Sequence, residues 1–137
     1  MKLSAGLHHE KGPECPLCNG KLSQAAPYLR TWFKEIKKRF PSVHISCSYR
    51  GVEEQNKAYD EGKSKVRFPN SRHNAVDRDN RPASRALDLF CLSEDGTASF
   101  PAPFYAAIWK ECKSRQDSIV WGGNWKSIGD ANHFEMV

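Results

Sequence analysis

Two histidines and two aspartates in this 137-residue sequence have types and spacing suited to metal-assisted hydrolysis. Catalytic zinc sites use three ligands drawn from His, Asp, Glu or Cys and leave a fourth position for water. His73 in a polar loop, Asp88 in an apolar segment and His133 near the end of the sequence supply such a set. Asp130, three residues before His133, is spaced to take a proton from metal-bound water. These residues predict a hydrolytic zinc site.

Asp88 is the least ordinary of these residues because it lies in an apolar run. Alternation along a strand places its carboxylate on the face opposite Leu87 and Leu89, so it points away from the core. A charge in such a place needs compensation. A metal ion would supply it, and an ion pair with Arg50 or Arg85 is the alternative explanation.

The elements that must position these residues can be predicted from hydrophobic spacing. Apolar residues at helical intervals predict a helix from Ser23 to Phe40, ended by Pro41. Alternation predicts a strand at 43–49, and short helices are predicted at 52–62 and from Pro101. Further strands are predicted at 84–92, 119–121 and in the terminal HFEM segment. This mixture predicts an α+β domain with a small antiparallel sheet flanked by helices.

Length and charge narrow the class of protein. A chain of 137 residues is long enough for one modest core. The net charge of +5 and the pI of about 9.0 favour an anionic partner, such as nucleic acid, a membrane surface or an acidic wall polymer. Part of the excess charge lies on the first predicted helix, as a cluster that is either a solvated face or a binding surface: Lys34, Lys37, Lys38 and Arg39.

Residues 1–22 contain few large apolar residues and are predicted to form an N-terminal arm, with the catalytic domain at 23–137. Cys15 and Cys18 form a CxxC turn like one knuckle of a zinc ribbon. His8 and His9 are candidates to complete a second, structural zinc site with them. Free thiols in a flexible arm, or ligands shared with another chain, are the alternatives.

An ordered series of motifs resembles a known family of zinc peptidases. The series is Tyr49-Arg50, Glu54-Gln55 with Tyr59, Ser71-x-His73, Ala86-x-Asp88, Trp121-Gly-Gly-x-Trp125 and Asp130-x-x-His133-Phe134-Glu135. It is similar to the VanY-like group of D-Ala-D-Ala carboxypeptidases and L-alanyl-D-glutamate endopeptidases, which includes small phage endolysins. The resemblance covers about residues 25 to 137 and implies the hedgehog/DD-peptidase fold.

The resemblance implies roles for several residues. His73, Asp88 and His133 would be zinc ligands and Asp130 the base, while Arg50 would stabilise the oxyanion or anchor a substrate carboxylate. An ion pair with Glu53 or Glu54 is the alternative for Arg50. The motifs also give a set of candidate substrate-binding residues: Gln55, Ser71, Trp121 and Trp125. Both tryptophans are equally compatible with core packing, and Glu135 is expected to orient a ligand.

The sequence departs from the family between its first histidine and its aspartate. The family separates the two by about six residues, whereas His73 and Asp88 are separated by a longer polar insertion. Asp77 and Asp79 lie nearer to His73 and are therefore competing ligand candidates. The insertion is either a plain surface loop, a substrate-facing loop or a calcium-sensitive one.

The sequence-based hypothesis is a zinc peptidoglycan peptidase of the endolysin type that hydrolyses the L-Ala-D-Glu bond of the stem peptide. D-Ala-D-Ala carboxypeptidase activity is the enzymatic alternative. A zinc-containing nucleic-acid-binding module is the alternative of another class, although it leaves the His and Asp set unexplained. We expect a monomer without a membrane span or specific nucleic-acid binding, made in the host cytoplasm without a signal peptide and acting on the wall after release.

Overall fold

A computed structural model describes residues 3–4, 16–93, 95–111, 118–124 and 131–136 of the chain. Its helices and strands, in chain order, are β1 (Leu3–Ser4), α1 (Pro16–Leu22), α2 (Pro27–Arg39), β2 (Val43–Cys47), α3 (Val52–Asp60), β3 (Ala86–Leu92), β4 (Thr97–Ser99), α4 (Ala102–Glu111), β5 (Ile119–Trp121) and β6 (His133–Met136). Short 3-10 turns cover Arg72–Asn74 and Gly122–Asn124. None of the helices described is long and apolar enough to cross a membrane.

Strand β3 is the centre of an antiparallel sheet. It pairs with β2 on one side and with both β6 and β4 on the other, and β5 extends the sheet beyond β6. Leu87 and Leu89 of β3 are fully buried, as the alternation in the sequence predicts. The central strand therefore has one face in the core, which leaves Asp88 on the other face.

Helix α2 covers the core face of the sheet. Pro27 occupies its first turn, where the missing N–H costs nothing, and Phe40 is its C-cap, directly before Pro41. Its apolar stripe is buried, and the Trp32 ring lies 5.3 Å from the ring of Phe134 on β6. Burying each such large side chain contributes about 1.5–3 kcal/mol, so this helix holds the sheet in place from behind.

The basic cluster on α2 divides into two kinds of residue. Lys34, Lys38 and Arg39 are exposed, but Lys37 is 6% exposed and its Nζ donates to the carbonyls of Pro41 and Val43. Lys37 therefore fastens the end of α2 to the start of β2, and only part of the cluster is a solvated face.

The core begins earlier in the chain than the sequence suggests. Cys18 and Leu22 of α1 are buried in the main apolar cluster, although residues 1–22 were expected to form an arm outside the core. Strand β1 also pairs with β4 at the edge of the sheet. Both β1 and β4 are too short to give an alternating pattern, and pairing within the sheet stabilises them instead.

Candidate metal centre

Three neighbouring strands place Cys47, Asp88 and His133 in one row across the sheet. Asp88 is in register with Cys47 on β2 and with His133 on β6. Residues directly opposite each other in a sheet project their side chains from the same face. The row therefore lies on the face of the sheet opposite the core.

A bulge explains why Cys47 belongs to this row. The pairing of β2 with β3 shifts between Ile45 and Cys47, so Ser46 is an extra residue in the strand. Ile45 faces the core, and without the bulge Cys47 would face it too. The Ser46 hydroxyl donates to the carbonyl of Asp88 at 3.0 Å, which fixes the bulge against β3.

A capped turn brings His73 over the same row. The Ser71 hydroxyl accepts a hydrogen bond from the His73 backbone N–H, and the Asn74 side chain accepts one from the N–H of Ser71. This reciprocal arrangement is a capping box. The Arg50 N–H donates to the His73 carbonyl at 2.9 Å, which ties the turn to the segment after β2.

The Asp88 carboxylate lies between the two histidines. His133 Nδ1 is 2.8 Å from Asp88 Oδ1, and His73 Nε2 is 3.4 Å from Asp88 Oδ2. The two imidazole rings meet edge to face with centroids 5.2 Å apart. His73 and His133 are both buried, at 2% and 7% exposure. The structure thus brings together the three residues expected to bind a metal ion.

The hydrogen bonds on the far sides of the rings fit metal ligands. His73 Nδ1 lies 2.6 Å from the Ser48 carbonyl, and His133 Nε2 lies 2.8 Å from Glu135 Oε1. Each acceptor orients its ring and leaves the other nitrogen facing Asp88. His73 Nε2 has no hydrogen-bond partner in the described chain, because Asp88 Oδ2 is at ion-pair distance but not aligned for a hydrogen bond. A cation between these groups would satisfy that buried nitrogen.

Cys47 adds a sulfur atom that the sequence did not indicate as a ligand. Ligand atoms of Cys47, His73 and Asp88 all lie within 4.8 Å of one another, which is close enough to share a metal ion. Cys47 Sγ is, however, 3.7 Å from His73 Nδ1, the nitrogen already held by the Ser48 carbonyl. The His73 nitrogen that lacks a partner faces Asp88 instead.

The Asp88 carboxylate, which both histidines share, raises the pKa values of both rings. Burial lowers the pKa of His73, but Asp88 and Cys47 together outweigh this effect and raise the pKa to about 10. Burial also lowers the pKa of His133, while Asp88 and Glu135 raise it overall to about 9. Burial opposes ionisation of Asp88, yet the two histidines hold its pKa well below the usual range. Without metal, both rings therefore bind protons where a cation would otherwise sit.

Arg50 reaches the cluster from the segment after β2. Its Nη2 lies 3.3 Å from Asp88 Oδ2, and its Nη1 donates to Gln55 Oε1 at 3.4 Å. The described Arg50 contacts are thus with Asp88 and Gln55 rather than with Glu53 or Glu54. Gln55 is predicted to bind substrate, but its side chain is fully buried. It holds Arg50 in place instead of facing the solvent.

The cluster opens into a cleft of about 850 Å³. Arg50, Ser71, His73, Asp88 and His133 all line it. The rest of the lining comes from the loop after α3, from the 71–72 segment and from β6 with the residue before it. The candidate metal centre is therefore accessible to a substrate at one side, although both histidines are buried.

A solved structure has the same architecture. The crystal structure of the Serratia marcescens L-Ala D-Glu endopeptidase ChiX aligns with a TM-score of 0.69 over 88% of this chain and 86% of that one, at 21% sequence identity. The two chains share a fold. The expectation of a small α+β domain with an antiparallel sheet flanked by helices is thereby confirmed. No protein-family model matches the sequence.

The long spacing between His73 and Asp88 has a simple structural origin. The inserted residues form a hairpin in which Val76 pairs with Pro82. Asp77 Oδ1 accepts hydrogen bonds from the backbone of Asp79 and Arg81, and both carboxylates lie within 3.4 Å of the Arg81 side chain. The competing ligand candidates Asp77 and Asp79 are therefore exposed turn residues away from the two histidines.

Trp121 packs against the hydrophobic core rather than lining the cleft. Its ring stacks near Trp109 and Phe134, and its Nε1 donates to the Ala131 carbonyl at 2.7 Å. A side chain at Gly123 would overlap the Trp121 ring. The glycine there is required by the tryptophan, not by the approach of a substrate.

Cys18 is buried, with its Sγ 3.3 Å from His44 Nδ1, and it accepts a hydrogen bond from the N–H of Ile45. The sequence predicts this thiol as a ligand of the second zinc site, whereas in the structure it lies in the main hydrophobic core. Several other residues singled out in the sequence lie outside the described part of the chain: His8, His9, Cys15, Trp125 and Asp130.

Proposed function

We propose that this protein is a zinc-dependent peptidoglycan peptidase that hydrolyses the L-Ala-D-Glu bond of the stem peptide. The observation that carries the proposal is the meeting of His73, Asp88 and His133 at the cleft, with His73 Nε2 buried and lacking a hydrogen bond in the described chain. A structure with the same fold is that of an L-Ala D-Glu endopeptidase, which supports the choice of substrate.

His73 through Nε2, Asp88 and His133 through Nδ1 would hold the zinc ion. When bound, zinc lowers the pKa of a water ligand toward about 7 and polarises a peptide carbonyl. The Ser48 carbonyl and Glu135 keep the two rings in the required orientation. Cys47 lies beside these three residues and is not assigned as a ligand.

Asp130 and Arg50 have the other roles in the proposal. Asp130, assigned from the sequence motif, takes the proton of the attacking water and returns it to the leaving amine. Arg50 lines the cleft beside Asp88 and donates to the oxygen that becomes negatively charged during attack, or to a substrate carboxylate.

We further propose that the protein works as an endolysin, as a monomer, on the wall of the bacterium in which it is made. The resemblance to phage endolysins supports this part, together with the positive net charge of +5, which attracts an acidic wall polymer. D-Ala-D-Ala carboxypeptidase activity would leave a different product and is distinguished by the same assay.

The test compares wild type, Asp130→Asn and the matched exposed control Asp60→Asn on purified sacculi. We expect wild type to release peptides with a new N-terminal D-Glu, and Asp130→Asn to lose about 10²- to 10⁴-fold in rate because it removes the general base. Metal content, read by mass spectrometry on the same samples, should be equal in all three proteins.

Release of free D-Ala in place of these peptides would identify a carboxypeptidase. An inert wild type with zinc fully bound would rule out the peptidase proposal. Equal rates in wild type and Asp130→Asn would remove Asp130 from the mechanism.

A further inference from the structure

The cationic side chains of the cleft differ in whether they pair with a carboxylate of the described part of the chain. Among the described residues that line the cleft, the lysine and arginine side chains are Arg50, Lys63, Lys65 and Arg72. Arg50 lies 3.3 Å from Asp88, Arg72 lies 3.3 Å from Glu135, and Lys63 lies 3.4 Å from Glu61. In the described part of the chain, Lys65 has no carboxylate within 4 Å.

The residues on either side of Lys65 are fixed in place by one buried side chain. Gln55 Nε2 donates to the Ser64 hydroxyl and to the Val66 carbonyl, both at 2.8 Å. The Ser64 hydroxyl also donates to the Val66 carbonyl, so the backbone on both sides of Lys65 is held. The Gln55 side chain is fully buried, so its own end of these bonds is shielded from water.

The same side chain also positions the arginine at the metal centre. Gln55 Oε1 accepts hydrogen bonds from Arg50 Nη1 and from Asn74 Nδ2. One amide therefore sets the places of both Arg50 and the loop that carries Lys65. A fixed loop backbone that carries such a lysine in the lining of a cleft offers an anchored place for an anionic group.

We propose that Lys65 recognises the free carboxylate of the D-Glu residue of the substrate and thereby sets specificity. This inference rests on the proposed function. Glutamate has two carboxyl groups and the peptide chain uses one of them, so a D-Glu beside the scissile bond leaves one carboxylate exposed. Of the lysines and arginines in the described cleft lining, Lys65 lacks a protein carboxylate within 4 Å, so we assign the free D-Glu carboxylate to it and leave Arg50 its place at the reacting group.

The experiment uses two soluble stem peptides that differ only in whether the free D-Glu carboxyl group is a carboxylate or an amide. The zinc-loaded proteins are wild type, Lys65→Gln, Lys65→Arg and Lys38→Gln, a control with the same charge change at an exposed position outside the cleft. The values of kcat and KM are measured for each pair, at low and at high salt.

We expect Lys65→Gln to raise KM for the carboxylate peptide by about two- to fivefold, the range for a solvated charge pair. The KM for the amide peptide and both kcat values should be unchanged, and Lys65→Arg and Lys38→Gln should behave like wild type. Added salt should weaken the preference of wild type for the carboxylate peptide and have little effect on the variant.

An equal rise in KM for both peptides would overturn the proposal, since it would indicate a role in loop structure. No change for either peptide would overturn it as well. An effect of Lys65→Gln on intact sacculi but not on the carboxylate peptide would show general attraction to the wall instead. If wild type hydrolyses neither peptide, the proposed function fails, and the Lys65 proposal fails with it.

Discussion

His44 and the pair His73 and His133 show that buried histidines can have unrelated roles in one small domain. All three are less than 10% exposed. His44 lies between Lys37 and Cys18, each 3.3 Å from one of its ring nitrogens, and stacks on Phe90. His73 and His133 instead share the Asp88 carboxylate and line the cleft.

Burial alone therefore does not identify a functional histidine. What separates the two regions is a carboxylate held in common by two rings, together with an opening to solvent. The contacts around His44 join α1, α2 and β2, so they contribute to stability. The contacts around Asp88 join residues distant in sequence at a place where a ligand can reach them.

Among the substitutions that test this comparison, Asp88→Asn is expected to cause the greatest loss of bound zinc and of hydrolysis. The amide keeps the shape but removes the charge that both histidines face, so zinc should no longer be retained and hydrolysis should fall by on the order of a thousandfold or more. Zinc content and release of peptides from sacculi are the measurements. Asp60→Asn, which alters an exposed pair with Arg67, is the control. Full zinc content in Asp88→Asn would remove Asp88 from the ligand set.

Substitution of His44, the other buried histidine, should lower stability and leave zinc binding and hydrolysis unchanged. We expect His44→Ala to lower the free energy of unfolding by about 2–4 kcal/mol, because it leaves a cavity and breaks buried polar contacts. Rate per folded molecule and zinc at the cleft should be unchanged. Chemical denaturation and metal analysis on the same preparation test this. Loss of one zinc per chain with little loss of stability would instead make His44 a metal ligand.

A smaller expected effect is the release of protons from the two histidines when zinc binds. In the metal-free protein the pKa values of His73 and His133 are raised to about 10 and about 9, so both rings are protonated at neutral pH. Zinc binding should then release about two protons at pH 7.5, and zinc affinity should increase with pH. Calorimetry in buffers of different ionisation enthalpy measures the number released. Release of no protons would show that the metal binds elsewhere.

The same shifts fix the sign of the pH effect on the metal-free protein. A raised histidine pKa contributes stability below the unfolded value of about 6.5, and this contribution is lost as the pH rises through about 9 to 10. The apo protein should therefore lose stability on going to alkaline pH. The zinc-loaded protein, whose histidines are already deprotonated, should not show this loss.

Much of the fold was predictable because it rests on local periodicity. Helix α2 and the strands β2, β3, β5 and β6 all lie within the segments where apolar spacing predicts them. The start of α2 is an exception, because the helix begins at Pro27 with Ala26 as its N-cap and not at Ser23. Asp88 was recognisable because a carboxylate interrupts an otherwise apolar strand. The edge strands β1 and β4 were not, because two or three residues cannot show a period and are stabilised by their neighbours.

Parts of the candidate site depended on features that no sequence pattern contains. Strict alternation puts Cys47 on the same face as Ile45, but the bulge at Ser46 turns it toward Asp88. The location of the Trp121 ring depends on packing against Phe134, and the matching signal was the neighbouring Gly123. The alternatives for Trp121 could be separated only by three-dimensional contacts.

The way Gln55 holds its loop has a consequence for protein engineering. It contacts the segment through one hydroxyl and one backbone carbonyl, at Ser64 and Val66, and makes no described contact with the side chains of Lys63 and Lys65. The residues at positions 63 and 65 can therefore be substituted without loss of the hydrogen bonds that Gln55 makes to this loop. Under the proposed function, libraries randomised at these two positions, with Ser64 kept, should change the preference for wall chemistry and leave the fold unchanged.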